Sequence, residues 1–303
     1  MKQLRYYFNY IESCNMCESS ANQHKILGQR LNQSQGYNPK SKIGISTTVM
    51  KCRKCNLIFA NPQPVPFDIQ DHYGMPAEDY WKPEYFIIDE KYFEYQIQIT
   101  KKLSSFSNGM KALDIGAGLG KCMISLQNAG YDAYGFEPSD SFYKEAIEKM
   151  KISNEKLKLG MIEEIEYPAN SFDFITFGAV LEHLYDPSNA IKKAMKWLKA
   201  GGLIHIQVPS SKYLIPKIFN FYFRLRGTNY VNNISPMHQP FHLYEFGIDS
   251  FKLHSNLYNY EIAHQEYYVC NIYFIPKLFH PLLKWYMSKT DSGMQLAIWL
   301  RKK

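Results

Sequence analysis

Between residues 111 and 208 short apolar runs alternate with longer amphipathic stretches, and the two patterns have different periods. The runs Lys111–Ile115, Asp132–Glu137, Lys156–Leu159, Phe172–Phe177 and Leu203–Val208 have the length and β-branched or aromatic content of buried strands. The intervening segments read as helices. Lys121–Ala129 stops at Gly130, a residue suited to the left-handed turn after a helix. A second helix follows Pro138-Ser139, with Ser139 or Ser141 as cap, and runs to about Lys149. A third is capped by Ser188, buries Ile191, Ala194, Met195 and Leu198, and ends at Gly201-Gly202. Alternation of this kind predicts a mainly parallel sheet with helices on both faces and ligands at the carboxyl ends of the strands. Tyr260–Gln265 and Tyr267–Phe274 read as closing strands, and residues 68–106 as helical.

The first of these strands runs into Asp114-Ile-Gly-Ala-Gly-Leu-Gly-Lys121, with glycines at 116, 118 and 120. A glycine-rich turn between a strand and a helix lets a nucleotide approach the backbone closely. Glu137 ends the next strand, one turn and one helix further on, where a carboxylate can accept both hydroxyls of a ribose. The spacing G-x-G-x-G after an acid differs from the dinucleotide fingerprint, which wants its third glycine where Lys121 stands. It resembles motif I of the class I S-adenosylmethionine-dependent methyltransferases. Ser171–Pro187 is similar to their fourth strand and its loop, and Leu198–Pro209 to the helix end and fifth strand. The resemblance implies an α/β, Rossmann-like fold with a mainly parallel seven-stranded sheet. It places Gly116, Gly118 and Gly120 under the methionine and ribose of S-adenosylmethionine and Glu137 on the ribose. Asp114 would orient the loop and the amino group, directly or through water. Met161 and Ile162 would flank the adenine, although relatives often carry an acid where this chain has Met161.

The amino-terminal segment adds a second kind of chemistry. Cys14-Asn-Met-Cys17 and Cys52-Arg-Lys-Cys55 supply four soft ligands in two pairs, which fits a tetrahedral, structural Zn²⁺. The alternative is four ordinary buried thiols. No apolar run reaches the length of a membrane-spanning helix, and Met1–Asn9 has no apolar signal region, so the chain is expected to be cytoplasmic and its cysteines reduced. Asn61-Pro-Gln-Pro-Val-Pro66 reads as a stiff extended connector. A four-cysteine module, an Asn-Pro segment and a tyrosine-rich stretch together resemble zinc-bearing methyltransferases of bacterial sugar and polysaccharide pathways. In those enzymes tyrosines of the stretch help close the cofactor pocket, and Tyr80 is the candidate here. The organisation expected is a zinc-binding module at 1–66, a helical connector or lid at 67–108, a cofactor-binding core at 109–210, and a substrate-side insertion with closing strands and tail at 211–303.

Composition changes the picture in one region. The formal charge of +7 is moderate for 303 residues, but aromatics reach 16%. Between 210 and 244 Lys212, Lys217, Arg224 and Arg226 are interleaved with Tyr and Phe and meet no acidic residue. Such a segment suits an anionic substrate, peripheral contact with a membrane surface, or nucleic acid, and otherwise packs on the sheet with solvated lysines. Residues 281–303 carry five Lys or Arg against one Asp and read as an interfacial anchor or a dimer contact; the sequence leaves the oligomeric state open.

Candidate bases for deprotonating an acceptor are His183, after the fourth strand, and His238 and His242 in Met237–Phe246, a segment that resembles the histidine-containing stretch before the last helix of these enzymes. Imidazole titrates in the range such a step needs; the alternative is that Glu182-His183 only orient the loop. The resemblance implies methylation of a sugar or nucleotide-sugar for a surface glycan or glycosylated metabolite. O-methylation is favoured because larger C-methylating relatives carry an additional carboxyl-terminal domain; N-methylation of an amino sugar is the open alternative. A zinc-containing ribosomal RNA methyltransferase is the second expectation, although Gly178–Glu182 lacks the Asn/Asp-Pro-Pro-aromatic pattern that grips a flipped base. A non-catalytic zinc adaptor is the third.

Overall fold

The computed structural model describes residues 6–31, 45–70, 82–234, 240–273 and 275–303. In chain order the strands are β1 (Tyr6–Asn9), β2 (His24–Leu31), β3 (Ser46–Cys52), β4 (Ile58–Asn61), β5 (Gln63–Pro66), β6 (Lys111–Ile115), β7 (Asp132–Glu137), β8 (Leu157–Leu159), β9 (Phe172–Gly178), β10 (Leu198–Pro209), β11 (Tyr244–Glu245), β12 (Tyr260–Tyr268) and β13 (Gln295–Lys302). The helices are α1 (Glu94–Leu103), α2 (Lys121–Asn128), α3 (Asp140–Glu148), α4 (Pro187–Trp197), α5 (Leu214–Leu225), α6 (Ile248–Tyr258) and α7 (His280–Lys289).

The large sheet has seven strands in the order β12-β13-β10-β9-β6-β7-β8. From β8 to β10 the pairings are parallel, and β13 is antiparallel to both neighbours. This is the class I methyltransferase arrangement of a Rossmann-like sheet. The order steps outward from β6 in two directions, so a crevice opens at the carboxyl ends of β6 and β9. Burial on both faces explains the unbroken apolar runs: Phe174, Ile175 and Phe177 of β9 and Ile204 and Ile206 of β10 are all essentially inaccessible. Two tryptophans anchor the core. Trp197 is sealed under Phe136 and Tyr167, and the buried Trp299 donates its indole N–H to Thr100 Oγ1 at 2.9 Å.

Several elements differ from the sequence reading. Helix α4 is capped by Asp186, whose carboxylate accepts from the Asn189 N–H at 2.9 Å; Ser188 is the second residue of the helix and bonds His254 Nε2. The helix ends at Trp197, and Leu198 already pairs with β9, so Gly201-Gly202 make a register shift inside a strand. The two closing strands are one, β12, with an irregularity between Ile262 and His264 that absorbs the broken alternation. The strand that completes the sheet is β13, in the tail. Leu296 to Leu300 are wholly buried between β12 and β10, so the basic residues flanking them hid a core strand. Within 82–106 only α1 and a 3-10 turn at Pro83–Phe86 are helical.

The amino-terminal part forms two small sheets. Strands β1 and β5 pair antiparallel, so the prolines 64 and 66 sit in a two-stranded ribbon where only one edge needs N–H donors. The other sheet runs β11-β4-β3-β2. Its edge strand β11 comes from far along the chain: Tyr244 pairs with Phe59 and Glu245 with Ile58. Glu245 is buried and accepts from Asn233 Nδ2 at 2.7 Å and the Ile234 N–H at 2.6 Å.

Candidate active site

The glycine turn leaves β6 in a conformation that side chains resist. Gly116 and Gly120 have φ of +68° and +76°, and a Cβ at either would lie 2.6 Å from Val180 Cγ2 or 2.7 Å from Ile152 Cγ1. At Gly118 the nearest atom to such a Cβ is Phe142 Cδ1 at 3.8 Å, so here the backbone is open to a ligand.

Glu137 locks this turn to the neighbouring strand. Its Oε2 accepts from the Gly118 N–H at 2.8 Å and its Oε1 from the Ser139 N–H at 2.9 Å. Burial pushes this carboxyl up to about 7, with both N–H donors pulling the other way. Asp114 lies deeper, beside the Cys122 thiol, and burial followed by the charge of Glu137 pushes it up to about 8. Asp114 is not part of the cavity wall, whereas Glu137 is. Tyr92, just ahead of α1, is 44% exposed, but partial desolvation, then the charges of Cys122 and Asp114, push its phenol up. The sequence marked Tyr92 only as one aromatic among many. Tyr80 lies outside the described residues.

A cavity of about 1480 Å³ opens from this turn, larger than one small ligand needs. Gly116, Gly118, Phe136, Glu137, Met161 and Ile162 line it, so five of the residues expected around the cofactor (both glycines, Glu137, Met161 and Ile162) share one wall. Ala179, Val180 and His183, from the end of β9 and its loop, also line it, with Val180 against Gly116 of the turn. The remaining wall is one the sequence did not point to. It comes from β1 and the end of β5, with Tyr7, Asn9, Phe67 and Asp68 facing the space, because the proline ribbon lies across the crevice.

His183 ends a 3-10 turn, and its Nδ1 lies 2.8 Å from the Phe241 carbonyl. A carbonyl can only accept, so Nδ1 carries the hydrogen and Nε2 of the neutral ring holds a lone pair. The His242 ring packs edge-on against it at 4.7 Å between centroids. Glu182 completes the group: its carboxylate and the two imidazoles offer nitrogen and oxygen atoms within 4.8 Å of one another. Burial pushes Glu182 up to about 8, and its Oε2 has no hydrogen-bond partner among the described residues. Two of the three candidate histidines therefore converge. His238 lies outside the described residues. Ala179 holds φ of +58° in the loop that carries this group, an unfavourable conformation for alanine, fixed in part by its N–H donation to Gln207.

The four cysteines meet in the amino-terminal part. Cys14, Cys17, Cys52 and Cys55 are all buried, and their sulfurs lie within 4.8 Å of one another. The closest cross-pairs, Cys14–Cys55 and Cys17–Cys52, are 3.4 and 3.7 Å apart. Sulfurs at tetrahedral corners around zinc stand roughly 3.8 Å apart, given Zn–S bonds of about 2.3 Å. Each Cys-x-x-Cys is followed by a residue in the left-handed region, Glu18 at φ +57° and Asn56 at φ +62°, so the two halves turn alike. Ser19 Oγ lies 3.2 and 3.0 Å from the sulfurs of Cys17 and Cys52. Hydrogen bonds from Cys14 and Cys55 favour the thiolate of Cys52. The donor set fits a closed, four-thiolate metal site.

A parallel sheet with β13 reversed, a three-glycine turn and an acid gripping that turn define a class I, S-adenosylmethionine-dependent methyltransferase fold. A family profile described as a methyltransferase domain matches residues 88–265, more than half of the chain, and the protein belongs to this family. Among curated relatives, a demethylmenaquinone methyltransferase of Geobacillus sp. is 30% identical over 133 residues, covering 41% of this chain and 57% of that protein. An uncharacterized methyltransferase of Schizosaccharomyces pombe is 28% identical over 121 residues, covering 36% and 41%. The chain spans little more than half the length of the demethylmenaquinone methyltransferases it matches, and less than half of the Schizosaccharomyces pombe protein. Among solved structures, a SAM-dependent methyltransferase of Methanosarcina mazei superposes with a TM-score of 0.49 at 17% identity, covering 67% of this chain and 96% of that one.

Proposed function

We propose that this chain transfers a methyl group to a hydroxyl of a sugar or nucleotide-sugar, and that a structural zinc ion sits among Cys14, Cys17, Cys52 and Cys55. The observation that carries this reading is one cavity lined by Glu137, the glycine turn and His183 together. S-adenosylmethionine supplies an activated methyl on a sulfonium, so the protein has to orient the acceptor and take its proton. Glu137 accepts the ribose hydroxyls with the lone pairs its two N–H donors leave free. Ile162 and Met161 flank the adenine, and Asp114 supports the turn from beneath. With S-adenosylmethionine bound as methyl donor, Nε2 of His183 would take the proton that the acceptor hydroxyl gives up on methylation. The Phe241 carbonyl holds the ring in that tautomer. Tyr7, Asn9, Asp68 and Asp186 give the acceptor end polar groups suited to several hydroxyls. The zinc would fix the small sheets whose ribbon forms that end.

Radiolabelled S-adenosylmethionine incubated with the protein and a fractionated cell extract tests this. Label in the nucleotide-sugar or glycan fraction that disappears with His183→Gln supports it. Label confined to RNA would give the site to the nucleic-acid reading instead. Label confined to quinones, the acceptor named for the Geobacillus relative, would refute the sugar assignment.

A further inference from the structure

Helices α5 and α7 each carry two apolar faces, and only one face of each is used. Ile215 and Phe219 of α5 pack with Leu283 and Met287 of α7 in a cluster of their own. Beside that packed face of α5, Ile218, Phe221, Tyr222 and Leu225 recur at helical spacing and stand exposed, Leu225 at 72%. Leu278, Leu282, Trp285 and Tyr286 form the matching stripe along α7 and the turn before it, Leu278 at 84%. Two neighbouring helices thus present apolar and aromatic side chains to solvent, where a monomer ordinarily shows scattered ones.

The charge of the chain lies in the same place. Residues 211–234 and 269–290 hold Lys212, Lys217, Arg224, Arg226, Lys277, Lys284 and Lys289 and no Asp or Glu. Without those seven, the 35 basic residues become 28, equal to the 28 acidic ones, so the whole formal charge of +7 sits on these two segments. Among the described residues none of the seven forms an ion pair.

We infer that α5 and α7 form a docking face for an anionic phospholipid surface. Leucine and isoleucine tips flanked by Trp and Tyr, with lysine and arginine around them, match the depth profile of a bilayer interface. A second copy of the chain fits less well, since a two-fold contact through this face would set seven positive charges against their own image. RNA would use the aromatic rings and the cations but leaves the aliphatic tips without a role. Helix α5 follows the carboxyl end of β10, and α7 precedes Gln295, the partner of Pro209 at that same end. The docking face therefore lies along the sheet edge that also carries the glycine turn.

The inference does not depend on methyl transfer, so vesicle binding tests it separately. The intact protein is sedimented with phosphatidylcholine vesicles, with and without phosphatidylglycerol, at low and high salt. Binding is expected only with the anionic lipid and should fall as salt rises. Replacing Lys277, Lys284 and Lys289 by Gln should weaken it about a hundredfold, about fivefold per charge. The double variant L282S/W285S should weaken it at least about tenfold while leaving the circular dichroism spectrum and melting profile unchanged, because both side chains are exposed. Absence of binding to anionic vesicles overturns the inference. So does equal binding to neutral ones. A concentration-dependent dimer abolished by L282S/W285S would assign the face to a second copy, and retention of RNA insensitive to that variant would assign it to nucleic acid.

Discussion

Replacing Glu137 by Gln probes the site at its firmest point. The carboxylate takes one N–H on each oxygen, from Gly118 and Ser139, at 2.8 and 2.9 Å. An amide keeps a single acceptor oxygen, so its NH₂ must face one of those two donors. One buried N–H then loses its partner, which destabilises by about 1–3 kcal/mol. The ribose loses a charge-assisted grip worth about 3 kcal/mol, which corresponds to roughly 150-fold weaker binding. Calorimetric titration with S-adenosylhomocysteine measures this without turnover. The pH dependence gives an independent check. With Glu137 pushed up to about 7 and the nucleoside preferring the ionised form, wild-type affinity should rise about tenfold per pH unit below that value and level off above it. E137Q should lose this dependence. The free protein should show the opposite trend in stability. The folded-state values of Glu137 and Asp114 lie above their ordinary 4.5 and 3.8, so folding retains protons the unfolded chain releases. Their contribution is complete below the ordinary carboxylate range and is lost as pH rises through about 7 to 8. An E137Q protein that binds within about threefold of wild type would refute the assignment of the ribose to this residue.

Gly120→Ala should destabilise by about 2 kcal/mol or more in urea unfolding, from a left-handed backbone and a contact with Ile152 at 2.7 Å. His183→Gln should lower kcat by about 10²- to 10⁴-fold with little change in cofactor affinity, since Glu137 and the glycine turn are left intact; parallel losses in both would place it in cofactor binding instead. The purified protein should contain about one zinc per chain by elemental analysis, and Cys52→Ser should lose the metal and lower the melting temperature together. A metal-free wild-type protein with the same melting temperature would reduce the cluster to four buried thiols.

The central strands were legible because they are largely buried and so are written as short, mostly apolar runs. The first two, Lys111–Ile115 and Asp132–Glu137, are matched to the residue. The glycine turn and its acid were legible for a related reason: left-handed backbone at 116 and 120 admits little else, and that constraint is local. Elements set by distant partners were not. Gln295–Lys302 read as a basic tail because its charged ends sit at the rim of the sheet, and its insertion between β10 and β12 is a property of the other two strands. The convergence of His183 with His242 depends on the Phe241 carbonyl reaching back to the β9 loop, which spacing along the chain does not encode. The cavity wall made by Tyr7 and Asn9 depends on how the proline ribbon folds over the crevice. Asp186 displaced Ser188 as a helix cap because Pro187 can occupy the first helical position, a local signal outweighed by the more familiar serine.

Strand β11 has a consequence for synthesis. Ribosomes release the chain from its amino terminus, so all four cysteines and strands β2 to β4 emerge long before Tyr244 and Glu245. During that interval the outer edge of β4 lacks its partner, with Ile58 and Phe59, buried in the finished fold, left uncovered. An open apolar edge of this kind invites pairing with another nascent chain. Metal capture by the two Cys-x-x-Cys turns needs nothing downstream, and it would hold β2, β3 and β4 in register until the late strand arrives. On the proposed zinc reading, metal supply during translation, more than metal retention afterwards, would govern the yield of soluble protein.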